Sequence, residues 1–328
     1  MAFNTTRRGF LAGTGAIAAA AAFPALAQTK QKLRFSAVFS EQDIRAEMMK
    51  MFAASIANDF AFEGYYGGTL FKQGTELVAL QRGNLEMGNI APQDFSKQIP
   101  AWSILTAAYL FRDADHLKKF FASPAGAEMK KMTEDQLGVR VLGPTYFGAR
   151  QIGLKPNKKI SKPADMAGIK LRMPPGEAWQ FLGESLGASP TAMAYSEVYT
   201  GLQTGAIDGQ DNPLPNVENM KFYEVMSQIV LTSHLVGFDL LTISNKVWND
   251  MSADAQKRFQ AAADAAIDFS TAKHLTREKE LVAFFKGKGL QIYEPDQAAF
   301  RKHAQEKYLA SDLAKSWPKG MVDKINAL

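Results

Sequence analysis

The chain has 328 residues, with 38 lysines and arginines against 33 aspartates and glutamates, and 46% of it is apolar. That is enough apolar surface for real cores, while a net charge of only +5 argues against a nucleic-acid-binding protein. Cysteine is absent, which excludes both a disulfide framework and a thiol nucleophile.

Residues 1–27 read as an export signal. Thr6-Arg7-Arg8-Gly9-Phe10-Leu11 is a twin-arginine signature, an alanine-rich apolar stretch follows over 11–23, and Ala25-Leu26-Ala27 is a small-residue cleavage site. The stretch is shorter than the roughly 20 apolar residues of a spanning helix, so a signal is favoured over an anchor, with the mature chain starting near Gln28. Removing 1–27 takes away Arg7 and Arg8 and no acids, so the net charge falls from +5 to +3. What remains is long enough for two domains of about 150 residues each.

Periodicity predicts a strand over 32–38, an amphipathic helix over 42–59, a strand over 60–66, a helix over 73–82 and a strand over 85–90. A second cycle starts near Gly148, with a helical turn over 161–166, a strand over 169–173, and helices over 177–186 and 196–204. This alternation predicts an α/β protein of two lobes with parallel-rich sheet. Ligands of such sheets lie beyond the strand ends, which gathers residues 38–43, 67–73 and 91–94 with Arg150 and Arg172 around one cleft. From Ala253 to Lys286 there is neither glycine nor proline, Ser252 is a plausible N-cap, and Gly287 and Gly289 are stop signals. One helix of that length would run about 50 Å; two helices broken near 270–274 fit the pattern equally well.

Two arginines draw attention. Arg150 follows an apolar run with a glycine break (139–148) and Arg172 ends the segment 168–171, so both are expected at strand ends facing the cleft. There a guanidinium fork matches the two oxygens of a carboxylate. Surface or interlobe ion pairing is the alternative for each. Asn212, beside Pro213, offers a donor and an acceptor to ligand or else caps a turn. Trp179 and Tyr195 are aromatic candidates near these loops, and Trp179 shares helical spacing with Leu182 and Leu186, so core packing competes with ligand contact. Asp208 and Asp211 read as turn caps rather than an acid–base pair, and the cluster Lys155-Pro-Asn-Lys-Lys159 as a solvated turn. His116, His234, His274 and His303 have no metal-ligand spacing, so no metal or other cofactor is expected. No nucleophile motif is visible either, so the protein is not expected to be an enzyme.

Ala149-Arg150-Gln151, Lys170-Leu-Arg-Met-Pro174, Gly187-Ala-Ser-Pro-Thr-Ala-Met-Ala-Tyr-Ser-Glu-Val-Tyr199 and Asp208-Gly-Gln-Asp-Asn-Pro213 occur in this order. Together they resemble the solute-binding proteins of tripartite ATP-independent periplasmic (TRAP) transporters, the DctP-type family. The resemblance covers nearly the whole mature chain and is densest over 146–238. It implies a periplasmic-binding-protein-like fold with a ligand cleft between the lobes and a long C-terminal helix across both. Lobe I would comprise 28–147 with 238–277, and lobe II 148–237 with 278–328. It also implies that Arg172 bridges a ligand carboxylate bidentately, that Arg150 and Asn212 support it, and that Tyr195 closes over the ligand. Sialic-acid-binding relatives carry acids where this chain has Lys72 and Ala91, so sialic acid would lose two acceptors. A lysine there favours a second anionic group, hence a C4-dicarboxylate. The expected partners are a small organic acid and the TRAP membrane permease, not nucleic acid, with the protein acting as a monomer. Hydroxy, keto or sugar monocarboxylates are the alternative ligands, and a secreted carboxylate-processing enzyme or a kinase-linked sensor the alternative roles.

Overall fold

The computed structural model describes residues 30–328. The twin-arginine segment expected over 1–27 lies outside the described residues. Nine strands form one sheet: β1 Gln31–Ser36, β2 Phe60–Tyr65, β3 Met87–Ile90, β4 Val139–Leu154, β5 Lys170–Met173, β6 Ser189–Ala192, β7 Gly209–Pro213, β8 Gln228–Ser244 and β9 Gln291–Tyr293. Their order is β2-β1-β3-β8-β4-β7-β5-β6, with β9 added to β8. The outer pairs are parallel, β1 with β2 and β3, β5 with β6 and β7, as helical crossovers require. The centre is an antiparallel pair, β4 on β8, matched from Val139 opposite Ser244 to Leu154 opposite Gln228.

Those two strands, 16 and 17 residues long, make the fold. Each runs through both lobes, so the two α/β cycles read from the sequence share one continuous sheet. Their ladder shifts register between Tyr146 and Gly148, where Gly148 takes φ +120°, and again between Arg150 and Ile152. Arg150 therefore lies inside a long strand and not at a strand end, as its position after an apolar run had suggested.

The hydrophobic core divides accordingly. Lobe I packs one cluster around Leu33, Phe35, Phe52 and Phe259 and another around Phe95, Trp102, Phe120 and Phe238. Lobe II packs one around Ile152, Trp179, Leu182 and Tyr308 and another around Tyr195, Leu202, Phe222 and Phe285. Met321 and Ile325, near the chain end, pack with the cluster around Phe95 and Trp102, and Trp317 donates to Ser103 Oγ at 3.0 Å, so the last residues return to lobe I.

The long helix, Ala253–Gly287, is unbroken through 270–274. Ser252 caps it by accepting from the Ala255 N–H at 3.3 Å. Its buried stripe, Phe259, Ala263, Ala266, Ser270, His274, Leu281 and Phe285, steps by threes, fours and one seven along a single face. Phe259 to Ile267 pack in lobe I and Leu281 and Phe285 in lobe II. Lys273 pairs with Glu47 of lobe I, and one turn later Arg277 pairs with Glu218 of lobe II. Among the described residues no helix is long and apolar enough to cross a membrane.

Candidate functional site

A cavity opens between the lobes where β4 and β8 cross the waist, lined by polar and aromatic side chains from both. Three arginines reach it, and their electrostatic situations differ.

Arg45, on the helix Ile44–Ser55, is 2% exposed and fully committed. It makes a two-pronged bridge to Asp43, Nε and Nη2 each at 2.9 Å, and a third contact to Asp239 at 3.0 Å, with its guanidinium between the rings of Phe39 and Phe147. Arg150 is also committed. Its Nε and Nη2 hold the two oxygens of Asp211 at 2.8 and 2.6 Å, and its guanidinium lies 4.8 Å from the Trp179 ring centre. Burial pushes the Asp211 carboxyl up, but Arg150 and His234 overcome this and hold it well below the usual range. His234 is fully buried and its pKa is lowered by burial; the neutral ring is oriented by Asp211 at 2.9 Å and Thr232 at 2.8 Å. Asp211 is thus the strand-borne counterion of Arg150, not the turn cap expected of it; Asp208, by contrast, does brace a backbone, accepting from the Lys170 N–H at 2.9 Å.

Arg172 is the exception. It is 1% exposed, its Nε donates to the Met193 carbonyl at 2.8 Å and its Nη2 to Gln73 Oε1 at 3.1 Å. Among the described residues no carboxylate comes within ion-pair distance of it. Burial, only partly offset by Asp211 farther away, pulls its pKa down to about 9. A buried guanidinium without a counterion is costly, and an anion entering the cavity removes that cost.

The other sequence candidates divide. Asn212, on β7, is buried and lines the cavity, donating to Gln210 Oε1 at 2.6 Å. Tyr195 lines it too; its backbone N–H donates to Gln73 Oε1 at 2.8 Å, and its buried hydroxyl has no hydrogen-bond partner among the described residues. Trp179 is both core and lining: it packs with Leu182 and Leu186 and presents its ring to Arg150. Lys72 is exposed and does not line the cavity, and its carbonyl accepts from the Thr75 N–H and hydroxyl at 3.0 and 2.8 Å. The lining residue in that loop is its neighbour Gln73.

Sequence reasoning missed Arg45, Glu76, Asn89 and Asp239, and although it gathered 67–73 and 91–94 around the cleft it singled out neither Gln73 nor Asp94, which joins Glu76, Asn89 and Asp239 in a polar wall. Asp43, placed as an N-cap at a helix start with Arg45 two residues on, was the available signal for the first. Apart from the placing of 91–94 at the cleft, nothing in the sequence marks the wall, because its members come from four separate elements. Burial pushes Glu76 up to about 8, so it is largely protonated at neutral pH and offers both a donor and an acceptor. Burial likewise raises Asp94, despite Lys97 at 2.6 Å, and takes Asp239 to about 6, where Arg45 and Asn89 hydrogen-bond it. Ala91 does line the cavity, where Lys72 does not, and Glu76 and Asp94 bring two carboxyl groups into the same lining.

Residues 35–312 match the DctP family model, bacterial extracellular solute-binding protein, family 7. The chain belongs to this family. The sialic acid-binding periplasmic protein SiaP of Vibrio cholerae is similar, 33% identical over 258 residues that make up 78% of this chain and 79% of that one. A TRAP periplasmic solute-binding protein of Roseobacter denitrificans, solved with 3-deoxy-D-manno-oct-2-ulosonic acid (KDO), superposes with a TM-score of 0.90 at 44% identity, covering 91% of this chain and 99% of that one. A second TRAP protein from the same organism, with bound L-galactonate, gives a TM-score of 0.81 at 26% identity over 91% and 99%. As a DctP-family member, the chain is a TRAP-type periplasmic solute-binding protein, and the family serves transport, not catalysis.

Proposed function

We propose that this protein captures a sugar monocarboxylate in the interlobe cavity, holds its carboxylate on Arg172, and hands it to a TRAP membrane permease. The observation that carries the reading is the buried Arg172 guanidinium without a carboxylate partner, beside two arginines that are already neutralised. One unmet positive charge asks for one carboxylate. A second ligand carboxylate would meet paired cations and the carboxyl wall of Glu76, Asp94 and Asp239, whereas hydroxyl groups would find donors and acceptors there. The case for a C4-dicarboxylate rested on Lys72, which is exposed and outside the lining. KDO and L-galactonate in similar TRAP proteins, and sialic acid in the name of a third, support a hydroxylated acid.

Thermal-shift screening with KDO, L-galactonate, gluconate, malate and succinate, followed by calorimetric titration, tests this. A sugar acid is expected to raise the melting temperature by mass action, and Arg172→Ala to weaken its binding by roughly 3–5 kcal/mol because the carboxylate is left buried without a partner. Tight binding of succinate in preference to every sugar acid overturns the ligand class, and unchanged affinity in the alanine variant overturns the clamp.

A further inference from the structure

We propose that Gln73 is the second arm of the carboxylate clamp, fixing the Arg172 fork with its carbonyl oxygen and directing its own NH2 group at the same ligand carboxylate. This rests on the reading of Arg172 given above. Gln73 belongs to the loop between β2 and the helix Glu76–Gln81, on lobe I, whereas Arg172 on β5 and Tyr195 belong to lobe II. Its Oε1 accepts twice across the cleft, from Arg172 Nη2 at 3.1 Å and from the Tyr195 N–H at 2.8 Å.

Two donors on one oxygen decide which end of the amide is which. Turned over, the NH2 group would face two other donors, so the amide has one stable orientation. In that orientation Nε2 makes no hydrogen bond within the described protein, and the side chain lines the cavity. An amide donor beside a counterion-free guanidinium suits an acceptor-only group, a carboxylate oxygen. The loop is held to this geometry. Gly74 takes φ +86°, and a Cβ there would lie 3.1 Å from Lys97 Nζ and 3.3 Å from Asp94 Oδ1, so the turn that presents Gln73 needs glycine. Because the amide bridges lobes, capturing the carboxylate and closing the cleft draw on the same side chain.

The test is calorimetric titration of wild type, Gln73→Met, Gln73→Glu and Arg172→Ala with KDO as the probe, together with thermal unfolding of each protein without ligand. Gln73→Met, similar in volume but apolar, should weaken binding about 10- to 100-fold. Gln73→Glu changes one atom group yet should weaken it more than roughly 100-fold, since the introduced carboxylate occupies the Arg172 fork. Its ligand-free melting temperature should stay level or rise, because the buried guanidinium gains a counterion. A residue that merely shapes the loop would lose stability and affinity together. Affinities of both Gln73 variants within about threefold of wild type, with binding lost in Arg172→Ala, would remove Gln73 from the clamp and leave the Arg172 reading intact. Retained binding in Arg172→Ala would overturn both. The unfolding measurement needs no ligand: a Gln73→Glu protein melting below Gln73→Met refutes the Gln73–Arg172 contact even where KDO does not bind.

Discussion

Glu76 is where burial changes chemistry most. Its carboxyl is 3% exposed, accepts the Gly74 N–H at 2.8 Å, and is raised to about 8 by desolvation, with Asp94 adding to the effect. Because the folded pKa lies above the unfolded one, the folded protein keeps a proton that the unfolded chain loses above about pH 4.5. The associated stability is therefore full below that pH and is lost as pH rises through 8. Asp239 runs the same way between 3.8 and about 6. Above pH 6 the Glu76 contribution stands alone among these two, with a limiting slope of about 1.4 kcal/mol per pH unit. Urea unfolding of Glu76→Gln at steps from pH 6 to 8 should show a flatter decline than wild type; parallel curves would mean that Glu76 is not held protonated.

At the scale of elements, the waist of the two long strands is built around glycine. At Gly148 a Cβ would lie 2.7 Å from Pro213 Cβ and 2.8 Å from Glu278 Oε1, and the residue sits at φ +120°. Opposite it, a Cβ on Gly237 would lie 2.6 Å from the Gly148 carbonyl oxygen. The close approach lets Glu278 of the long helix accept the Tyr146 hydroxyl at 2.5 Å and the Ala149 N–H at 2.6 Å, so the helix grips β4 where its ladder slips. Gly148→Ala combines strained backbone with overpacking and should cost roughly 2–4 kcal/mol in chemical unfolding. Gly287→Ala, at the open end of the long helix with no atom within 4 Å of its Cβ position, should change stability by less than about 0.5 kcal/mol or raise it. Equal effects would show that the waist is slack.

At the scale of the whole molecule, both lobes are linked by β4, β8 and the long helix, and Arg172, proposed above as the acid-binding arginine, lies on one lobe with its amide partner on the other. A ligand carboxylate that engages both draws the lobes together, which is hinge closure of the kind binding proteins use. X-ray scattering should record a smaller radius of gyration on adding saturating sugar acid to wild type and none for Arg172→Ala. Compaction of the alanine variant by the same ligand would separate closure from the clamp.

The sequence by itself determined the alternation of strands and helices up to Ile90, the helical character of the stretch after Ser252, and the family, through motifs whose order survives in the linear chain; that the stretch is one helix unbroken at 270–274 came from the fold. It also singled out Arg172, because a Lys-Leu-Arg-Met-Pro phrase is local. What it did not contain was β8 as the second long strand beside β4, since neither a one-sheet topology nor a 17-residue pairing leaves a short-range signature. Which arginine is free could only be decided by the fold. Arg150 and Arg172 look alike in sequence, but antiparallel pairing of β4 with β7 brings Asp211 onto Arg150 and leaves Arg172 with no carboxylate among the described residues. The same holds for Lys72 and Gln73, neighbours in one loop: a turn through Gly74 sends the lysine to solvent and the amide into the cavity. Charge balance and side-chain direction are properties of distant residues brought together, and only the tertiary structure assembles them.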